Sequence, residues 1–432
     1  MLTTHRENRS LIVALDVGTS KIVAVVAEIN PEGTAYEIIG FGQVPSKGLR
    51  RGVVVDIELA VQSIQRVLEE AELMANVKIR EVITGIAGSH VRSKNSHGMV
   101  AIQNKEVTQG DVERVLETAR AVNIPNDEQV LHVLTQEYII DGQEDVREPV
   151  GMSGLRMEVR VHIITGSVSA TQNIMRCIRR CGLEVSDLIL QPLASARSVV
   201  TQDEKDLGVC LVDIGGGTTD IAVFVKGAIR HTAVIPLGGD QITSDIAMAL
   251  RTPLAAAEEI KIQQGCALRQ LAEGDQKVAV PGVGERGMRQ MARQTLVEVI
   301  EPRVEEMFSL VLTELRTSRQ LDLIPSGVVL TGGSSALEGM LELGEEIFHV
   351  PVRLGVPFYR GPLADVVRKP QFATVMGLLA FGFEEHQKAQ GGAIQPPDAG
   401  GFLGTNQALV QKFILSDRVG YNLRREVNHG KL

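Results

Sequence analysis

Two short loops in this sequence each combine an aspartate, glycines and hydroxyl side chains between two β-rich runs. They are Asp16–Lys21 and Asp213–Asp220. Glycines in a tight turn let successive backbone N–H groups approach an anion, and serine and threonine add hydroxyl donors. Asp16 and Asp213 end the first strand of each hairpin, where two carboxylates could hold Mg²⁺ close to phosphate groups. The two loops together predict a phosphate-binding site that contains a metal ion.

The alternative is that both aspartates only stabilise turns, as this residue often does. One Asp-x-Gly hairpin is weak evidence, because such hairpins are common. Two of them at matching places in the chain form a more specific signal, and they favour two related halves.

Three further segments could complete a nucleotide site. Thr331–Ser334 follows the β-rich run Gly327–Leu330 and is expected to open a helix, so that its amides can meet a nucleotide. Glu258 and Lys261 share a helical face at i, i+3, where they could bind ribose hydroxyls or form a solvated ion pair. Gln191 lies just upstream of the second hairpin, at a predicted strand end where it could also have no role.

The elements that must position these residues alternate between strands and amphipathic helices, which predicts α/β layers. Asp56 is expected to cap a helix that buries Leu59, Ala60, Ile64, Val67, Leu68 and Ala71. Pro302 is expected at the first position of a helix over Arg303–Thr317, with Val304, Met307, Leu310, Val311 and Leu315 inward.

Composition bounds the class of protein. The chain has 432 residues, 44% apolar and 22% charged, with a net charge of −9. This length suits two or three soluble globular domains, and the acidic balance argues against nucleic-acid binding. No secretory signal and no apolar run of membrane-spanning length is found. The four cysteines, which lack zinc-ligand spacing, are expected to be reduced structural thiols.

Two stretches interrupt the halves. The first, Thr84–His162, has its own predicted helix over Asp111–Val122, with Thr108 and Asp111 in a capping-box pattern. The second, His231–Gln294, ends in a glycine-rich turn. Residues 384–405 are rich in Gly, Pro, Ala and Gln and predict a flexible linker, which is followed by a short tail, residues 406–432.

These motifs resemble the actin, Hsp70 and sugar-kinase ATPase superfold: Asp16–Lys21 is similar to its first phosphate loop, Asp213–Asp220 to its second, and Thr331–Ser334 to its adenosine motif. Within that superfold the chain resembles the FtsA family of bacterial cell-division proteins over roughly residues 10–383. The segments that carry this likeness are Val130–Tyr138, Pro149–Gly154, Leu207–Gly217, Thr243–Ala247 and Gln294–Arg303.

The resemblance implies an actin-like ATPase fold of two α/β halves around a nucleotide cleft. Residues 1–83 and 163–200 would form the first half, and 201–230 and 295–383 the second. The inserted subdomains would be 84–162 and 231–294. ATP and Mg²⁺ are the implied cofactors, with Asp16 and Asp213 toward the metal and Gln191 orienting an attacking water. The implied nucleotide-binding residues are Asp16, Gly18, Thr19, Ser20, Lys21, Gly215, Gly216, Gly217, Thr218, Thr219, Glu258, Lys261, Gly332, Gly333 and Ser334.

The resemblance also implies a scaffold rather than an enzyme, with slow or marginal ATP hydrolysis. Such a protein would polymerise and tether the ring of the tubulin-like protein FtsZ to the cytoplasmic face of the bacterial inner membrane at the division site. FtsZ would bind through the second insertion, and later division proteins through the first.

A membrane-targeting helix is implied at the C-terminus. The tail from residue 406 has a net charge of +3 against −12 for the rest of the chain, which suits an anionic surface. Its expected membrane residues are Leu409, Phe413, Leu423, Arg424 and Arg425. Gly420 and Ser416 weaken this face, so a disordered basic tail is the alternative.

Two other members of the superfold can be weighed. A sugar kinase would need an aspartate base in the first half to deprotonate a sugar hydroxyl, and no such segment stands out, although this stays the alternative function. An Hsp70-type chaperone needs a substrate-binding domain after its ATPase, for which the residues after Phe383 are too few.

Overall fold

Strands and helices alternate along the chain in this computed structural model, which describes residues 10–272, 276–284 and 287–390. In chain order the strands are β1 (Leu11–Val17), β2 (Lys21–Ile29), β3 (Tyr36–Pro45), β4 (Leu49–Arg50), β5 (Val53–Val54), β6 (Glu81–Ile86), β7 (Arg92–Ala101), β8 (Glu128–Ile140), β9 (Gln143–Val146), β10 (Arg156–Ser167), β11 (Glu184–Leu190), β12 (Val209–Ile214), β13 (Thr219–Val225), β14 (Ala228–Ile235), β15 (Lys277–Val280), β16 (Arg289–Ala292), β17 (Val328–Thr331) and β18 (Val352–Leu354).

The α-helices are α1 (Ile57–Ala75), α2 (Gln109–Arg120), α3 (Val168–Arg180), α4 (Gln191–Val199), α5 (Gln202–Leu207), α6 (Gly239–Leu250), α7 (Leu254–Gln264), α8 (Arg293–Thr317), α9 (Met340–Phe348), α10 (Ala364–Val367) and α11 (Ala373–Ala389). Short 3₁₀ turns lie at Arg269–Leu271, Leu321–Leu323, Gly333–Ala336 and Pro370–Phe372. The Thr331–Ser334 segment therefore leads into a 3₁₀ turn and not directly into an α-helix.

Two five-stranded sheets have the same strand order, β3-β2-β1-β6-β11 and β14-β13-β12-β17-β18. In each sheet, the hairpin with the aspartate loop is antiparallel. Its first strand also pairs in parallel with a later strand, β1 with β6 in the first sheet and β12 with β17 in the second. Parallel strands end at the same edge of a sheet, so both loops lie at the edge where their parallel partners end. The matched hairpins therefore predicted the internal repeat correctly.

The core of the first half forms between its sheet and α1. Asp56 caps α1 by accepting a hydrogen bond from the Leu59 backbone N–H at 3.0 Å, as predicted. The predicted inward residues are buried except Leu59, which is 39% exposed. Leu59 precedes Ala60 by one position, about 100° around the helix, and so lies off the buried stripe.

Helix α8 begins nine residues earlier than the sequence predicted. Pro302 lies inside it instead of opening it. An internal proline costs about 3 kcal/mol, but the buried face continues through Leu296, Val297 and Ile300, and each such side chain contributes about 1.5–3 kcal/mol when buried. Packing therefore outweighs the local stop signal. The predicted inward residue Leu310 is 39% exposed, because it adjoins the buried stripe without belonging to it.

A second compact unit comprises residues 94–123 and 132–164 among those described. The four-stranded sheet β7-β10-β8-β9 lies mostly within it. Helix α2 has the predicted capping box, in which the Thr108 hydroxyl accepts from the Asp111 N–H and Asp111 accepts from the Thr108 N–H at 2.9 Å. The helix spans Gln109–Arg120, two residues earlier than expected.

Two boundaries differ from the predicted ones. β14 runs to Ile235, past the predicted start of the second insertion at His231. Helix α11 runs to Ala389, so the first six residues of the predicted linker are helical. Glu384 lies 3.3 Å from Arg197, and Lys388 pairs with Glu385 one turn away at 2.7 Å. These ion pairs, which composition does not reveal, extend the helix. Residues 391–405 lie outside the described residues.

Candidate functional site

The two aspartate loops face a common cleft that is open to solvent, with about 630 Å³ of space in and in front of it. A backbone hydrogen bond from Gly18 N to Lys21 O (3.1 Å) closes the first turn, and one from Gly215 N to Thr218 O (2.9 Å) closes the second. The predicted site residues that line the cleft are Asp16, Gly18, Thr19, Ser20, Lys21, Gln191, Asp213, Gly215, Gly216, Gly217, Thr218, Gly332 and Gly333.

Two glycines let the backbone come close at this cleft. A Cβ on Gly217 would lie 2.9 Å from both the Arg51 Cα and the Thr19 Oγ1. Gly332 has a φ of +85° and its Cβ would lie 2.4 Å from Asp213 Oδ1. A side chain on Gly217 would collide with residues of the first half, and one on Gly332 would collide with Asp213 of its own half, so bare backbone is required at both positions.

Asp16 is buried at the end of β1, with 7% of its surface exposed. Its Oδ1 accepts a hydrogen bond from Gln191 Nε2 at 3.0 Å, at the first residue of α4. Burial raises the pKa of Asp16 to about 6, nearby Lys21 opposes that rise, and Asp213 adds to it. The Gln191 side chain is thus held directly against a cleft carboxylate.

Asp213 occupies the matching place at the end of β12. Its Oδ2 accepts hydrogen bonds from Ser195 Oγ at 2.6 Å and from Thr374 Oγ1 at 3.4 Å. Burial raises the pKa of Asp213, against the effects of the Ser195 hydroxyl, Lys21 and Thr374. Helices α4 and α11 therefore both fix the orientation of this carboxylate.

A third carboxylate, Asp220, was not among the predicted site residues. It lines the cleft, is 4% exposed, and accepts from Thr218 Oγ1 at 3.1 Å through Oδ2, while its Oδ1 has no hydrogen-bond partner. Burial, followed by the charge of Asp213, raises its pKa to about 8. A signal was available: Asp213 and Asp220 are directly opposed in the β12–β13 register, so their side chains share one face of the hairpin.

The cleft suits a polyphosphate with a divalent cation. Asp16, Asp213 and Asp220 are acids whose ionised forms repel one another when buried together, and the buried Asp220 Oδ1 lacks a hydrogen-bond partner that a bound hydrated ion could supply. Mg²⁺ commonly binds through one or two carboxylates, waters and substrate phosphates. The exposed turn amides and the Lys21 ammonium can receive the phosphate oxygens. The donor set therefore fits Mg²⁺ bound with a phosphate chain.

Glu258 and Lys261 meet on α7, where Lys261 Nζ lies 2.7 Å from Glu258 Oε2. Lys261 also donates to Gly239 O at 3.1 Å and to Thr243 Oγ1 at 2.8 Å. Gly239 N in turn donates to Gly215 O at 2.9 Å. The pair therefore lies beside the second aspartate loop, although it is not part of the cleft lining.

Two other predicted residues lie behind the lining. Thr219 is 1% exposed and donates to Leu237 O at 2.9 Å, so its hydroxyl is occupied within the fold. Ser334 donates to Gly215 O at 3.4 Å and so supports the second loop.

The start of α6 is a part of the site that the sequence reasoning missed. Gly239 N bonds to Gly215 O, and Asp240 N bonds to Gly216 O at 2.8 Å. A Gly-Gly pair before a helical pattern, followed by an acidic first turn, was the available signal. Val17 also lines the cleft, and it lies within the predicted first loop although it was not singled out as a site residue. The other missed lining residues, for which the sequence offered no motif, are Gly52, Ala87, Pro370, Gln371 and Thr374.

The predicted membrane residues Leu409, Phe413, Leu423, Arg424 and Arg425 lie outside the described residues. Within the described part of the chain, no helix is both long and apolar enough to cross a membrane. The same residues contain no cluster of three or more His, Cys, Asp or Glu side chains arranged to hold a metal by themselves. The four cysteines are free thiols, as predicted.

Comparison with known families gives two matches along this chain. The sequence-family model for the cell division protein FtsA matches residues 210–377, and the family model for the SHS2 domain inserted in FtsA matches residues 88–165. The chain is 59% identical over 379 residues to the cell division protein FtsA of Pseudomonas aeruginosa, covering 88% of this chain and 91% of the relative. It is 46% identical over 386 residues to the FtsA of Escherichia coli K12, covering 88% and 92%.

Solved structures with lower identity share the fold. The PilM–PilN type IV pilus biogenesis complex matches with a TM-score of 0.64 at 20% identity, covering 87% of this chain and 99% of that one. MreB5 of Spiroplasma citri bound to ADP matches with a TM-score of 0.55 at 14% identity, covering 88% and 99%. The fold is therefore the actin-like ATPase fold with an inserted subdomain, as the sequence predicted. The family match identifies that insertion as an SHS2 domain, which the sequence analysis did not.

Proposed function

Because this chain belongs to the FtsA family of cell-division proteins, we propose that it binds ATP with Mg²⁺ in the cleft and acts as a polymerising scaffold. In this role it tethers the FtsZ ring to the cytoplasmic face of the inner membrane at the division site and recruits later division proteins. The observation that carries the nucleotide part is the pair of aspartate loops, Asp16–Lys21 and Asp213–Asp220, which line one cleft.

Asp16 and Asp213 would hold Mg²⁺, with Asp220 as a further acceptor. When bound, the metal neutralises negative charge on the phosphates and on these carboxylates. The hydrogen bonds from Ser195 and Thr374 to Oδ2 keep the Asp213 carboxylate oriented. Burial raises the pKa of all three acids, so the affinity for a metal-bound nucleotide should fall as the pH is lowered and the acids are protonated.

The nucleoside would lie toward Glu258, Lys261 and the Gly332–Ser334 turn. Lys261 is 8% exposed and tied to the backbone of Gly239, so its ammonium group is fixed before a ligand arrives. The Glu258 side chain is 43% exposed, and its Oε2 is held by Lys261 and by the Thr243 hydroxyl, which leaves Oε1 to accept from a ribose hydroxyl. Hydrogen bonds that are formed before the ligand arrives lower the entropic cost of ordering these side chains on binding.

Gln191 is proposed to orient a water molecule for attack on the terminal phosphate. Its amide nitrogen is engaged by Asp16, which leaves the amide oxygen as an acceptor for a water proton. An amide is not a base at neutral pH, so it can position water without removing its proton. This agrees with a scaffold that hydrolyses ATP slowly.

The inserted segments would supply the protein contacts. The second insertion carries apolar side chains that are largely exposed, which supports an FtsZ-binding surface there: Met248 (69%), Leu254 (61%), Ile262 (72%), Val283 (54%) and Met288 (65%). The first insertion, with its own sheet and helix, is the proposed contact for later division proteins. The basic tail is the proposed contact with anionic lipid.

Calorimetric titration of MgATP into the full chain and into Asp213→Asn tests the nucleotide site. We expect the wild type to bind and the variant to bind at least about ten-fold more weakly, because a charged acceptor toward the metal is lost. Asp203→Asn, an exposed change on α5, is the matched control and should bind like the wild type. Equal affinity in Asp213→Asn and the wild type would remove the proposed metal site.

A further inference from the structure

A two-residue hairpin turn, Arg51–Gly52, joins β4 to β5. The flanking pairs are Leu49 with Val54 and Arg50 with Val53. Both turn residues have positive φ, +51° for Arg51 and +76° for Gly52, as in a type I′ turn. Glycine and asparagine suit the first position of that turn. An arginine there is held in a strained backbone conformation, which the surrounding contacts must maintain.

Those contacts come from both phosphate loops. The Gly52 N–H donates to Thr19 Oγ1 of the first loop at 3.0 Å. On the other side, the Cβ position of Gly217 lies 2.9 Å from the Arg51 Cα. Gly52 itself lines the cleft. The backbone of Arg51 is therefore fixed at the rim of the cleft, between a loop of each half.

The charges at this rim are unbalanced. Lys21 is the only cation among the described residues that line the cleft, beside Asp16, Asp213 and Asp220. The Arg51 side chain is exposed, and its guanidinium has no ion-pair partner among the described residues. A guanidinium group matches the geometry of phosphate oxygens and can bind them through two parallel hydrogen bonds.

The position of the turn indicates which end of a bound nucleotide Arg51 would be close to. The residues proposed to meet the nucleoside support the second loop at Gly215, to which Ser334 and Gly239 are bonded. Arg51 instead touches that loop at Gly217, and its neighbour Gly52 bonds to Thr19. The Arg51 backbone thus meets the second loop two residues beyond the point that Ser334 and Gly239 contact, and next to Thr19 of the first loop. We take this as the end of the cleft at which a phosphate chain would terminate.

We propose that Arg51 binds the terminal phosphate of ATP and makes the cleft prefer ATP to ADP. This inference rests on the proposed nucleotide-binding function. The strained turn then places the Cα of Arg51 between the two loops, so that its long cationic side chain extends from there. Because its backbone touches both halves, the same residue would tie occupation of the terminal phosphate site to the contact between them.

The test compares the affinities of MgATP and MgADP by calorimetry for the full chain and for four variants. In Arg51→Gln and Arg51→Gly, we expect the affinity for ATP to fall about ten-fold or more while that for ADP is unchanged. Arg51→Lys keeps the charge and should retain part of the preference. Arg50→Gln, an exposed change one residue away in the same hairpin, should behave like the wild type.

Arg51→Gly separates a ligand contact from a role in the turn. Glycine accepts the positive φ without strain, so a purely structural role would leave this variant at least as thermally stable and with full preference for ATP. Unchanged ratios of ATP to ADP affinity in both Arg51→Gln and Arg51→Gly would overturn the inference alone. A wild-type chain that binds neither nucleotide would overturn the proposed function together with it.

Discussion

Three buried carboxylates, Asp16, Asp213 and Asp220, determine the chemistry of the cleft. Each is less than a tenth exposed, and burial is the largest cause of each raised pKa. A fold that was optimised only for stability would avoid such a group, since ionising it inside a protein costs free energy. Their presence is explained if a cation and phosphates compensate these charges when the nucleotide is bound.

Replacement of Asp220 by asparagine should stabilise the ligand-free protein, and more so at higher pH. The pKa of Asp220 is about 8 in the folded chain against an ordinary value of 3.8. Between these values the folded chain holds a proton that the unfolded chain has lost, so stability falls as the pH rises. Asparagine does not titrate and escapes this loss.

Thermal unfolding without nucleotide measures the effect. The gain in Tm of Asp220→Asn over the wild type should increase from pH 5 to pH 8 by about 2 °C or more, which corresponds to about 1 kcal/mol. The exposed Asp203→Asn variant should show no such increase. A gain that is constant with pH, or a loss that deepens toward pH 8, would contradict the assignment of a buried protonated acid.

At the scale of elements, the crossing of α4 and α11 sets the geometry of the site. Helix α4 begins with Gln191 against Asp16, and α11 presents Thr374 to Asp213. The two helices approach so closely that a Cβ on Gly377 would lie 1.7 Å from the Ala194 carbonyl oxygen. The carbonyl is backbone and cannot move aside without shifting α4.

Gly377→Ala should therefore destabilise the chain and weaken nucleotide binding together. We expect a loss of about 1–3 kcal/mol, as for overpacked cores, measured as a fall in Tm and in MgATP affinity. Gly110→Ala is the matched control, because Gly110 is also helical but has only the Thr108 hydroxyl nearby, at 3.8 Å. That variant should gain about 0.5–1 kcal/mol from helix propensity. Equal effects of the two substitutions would show that the crossing is not tight.

The sequence predicted the elements whose signals are local. The matched hairpins, the Asp56 cap and the Thr108 capping box depend on residues a few positions apart, and all were correct. The predicted start of α8 was wrong, because packing of a buried face overrode the local signal of Pro302. Thr374 could not be foreseen as a partner of Asp213, since the two are 161 residues apart and only the sheet topology brings them together.

For the whole molecule, the proposed function is a polymer attached to a surface. Head-to-tail contacts between copies would give open filaments if they did not close into a ring. Each such contact could be weak, because attachment to a surface would raise the effective concentration of the chains. ATP would favour the polymerising state only to the extent that it binds that state more tightly.

Co-sedimentation of purified FtsZ with anionic lipid vesicles tests the central claim most directly. With this protein and MgATP present, we expect FtsZ to pellet with the vesicles. It should stay in the supernatant without the protein, or when the protein is truncated after Thr405 and so lacks the basic tail. If the full-length protein pellets with the vesicles in MgATP while FtsZ remains in the supernatant at every concentration, the proposed tether is contradicted.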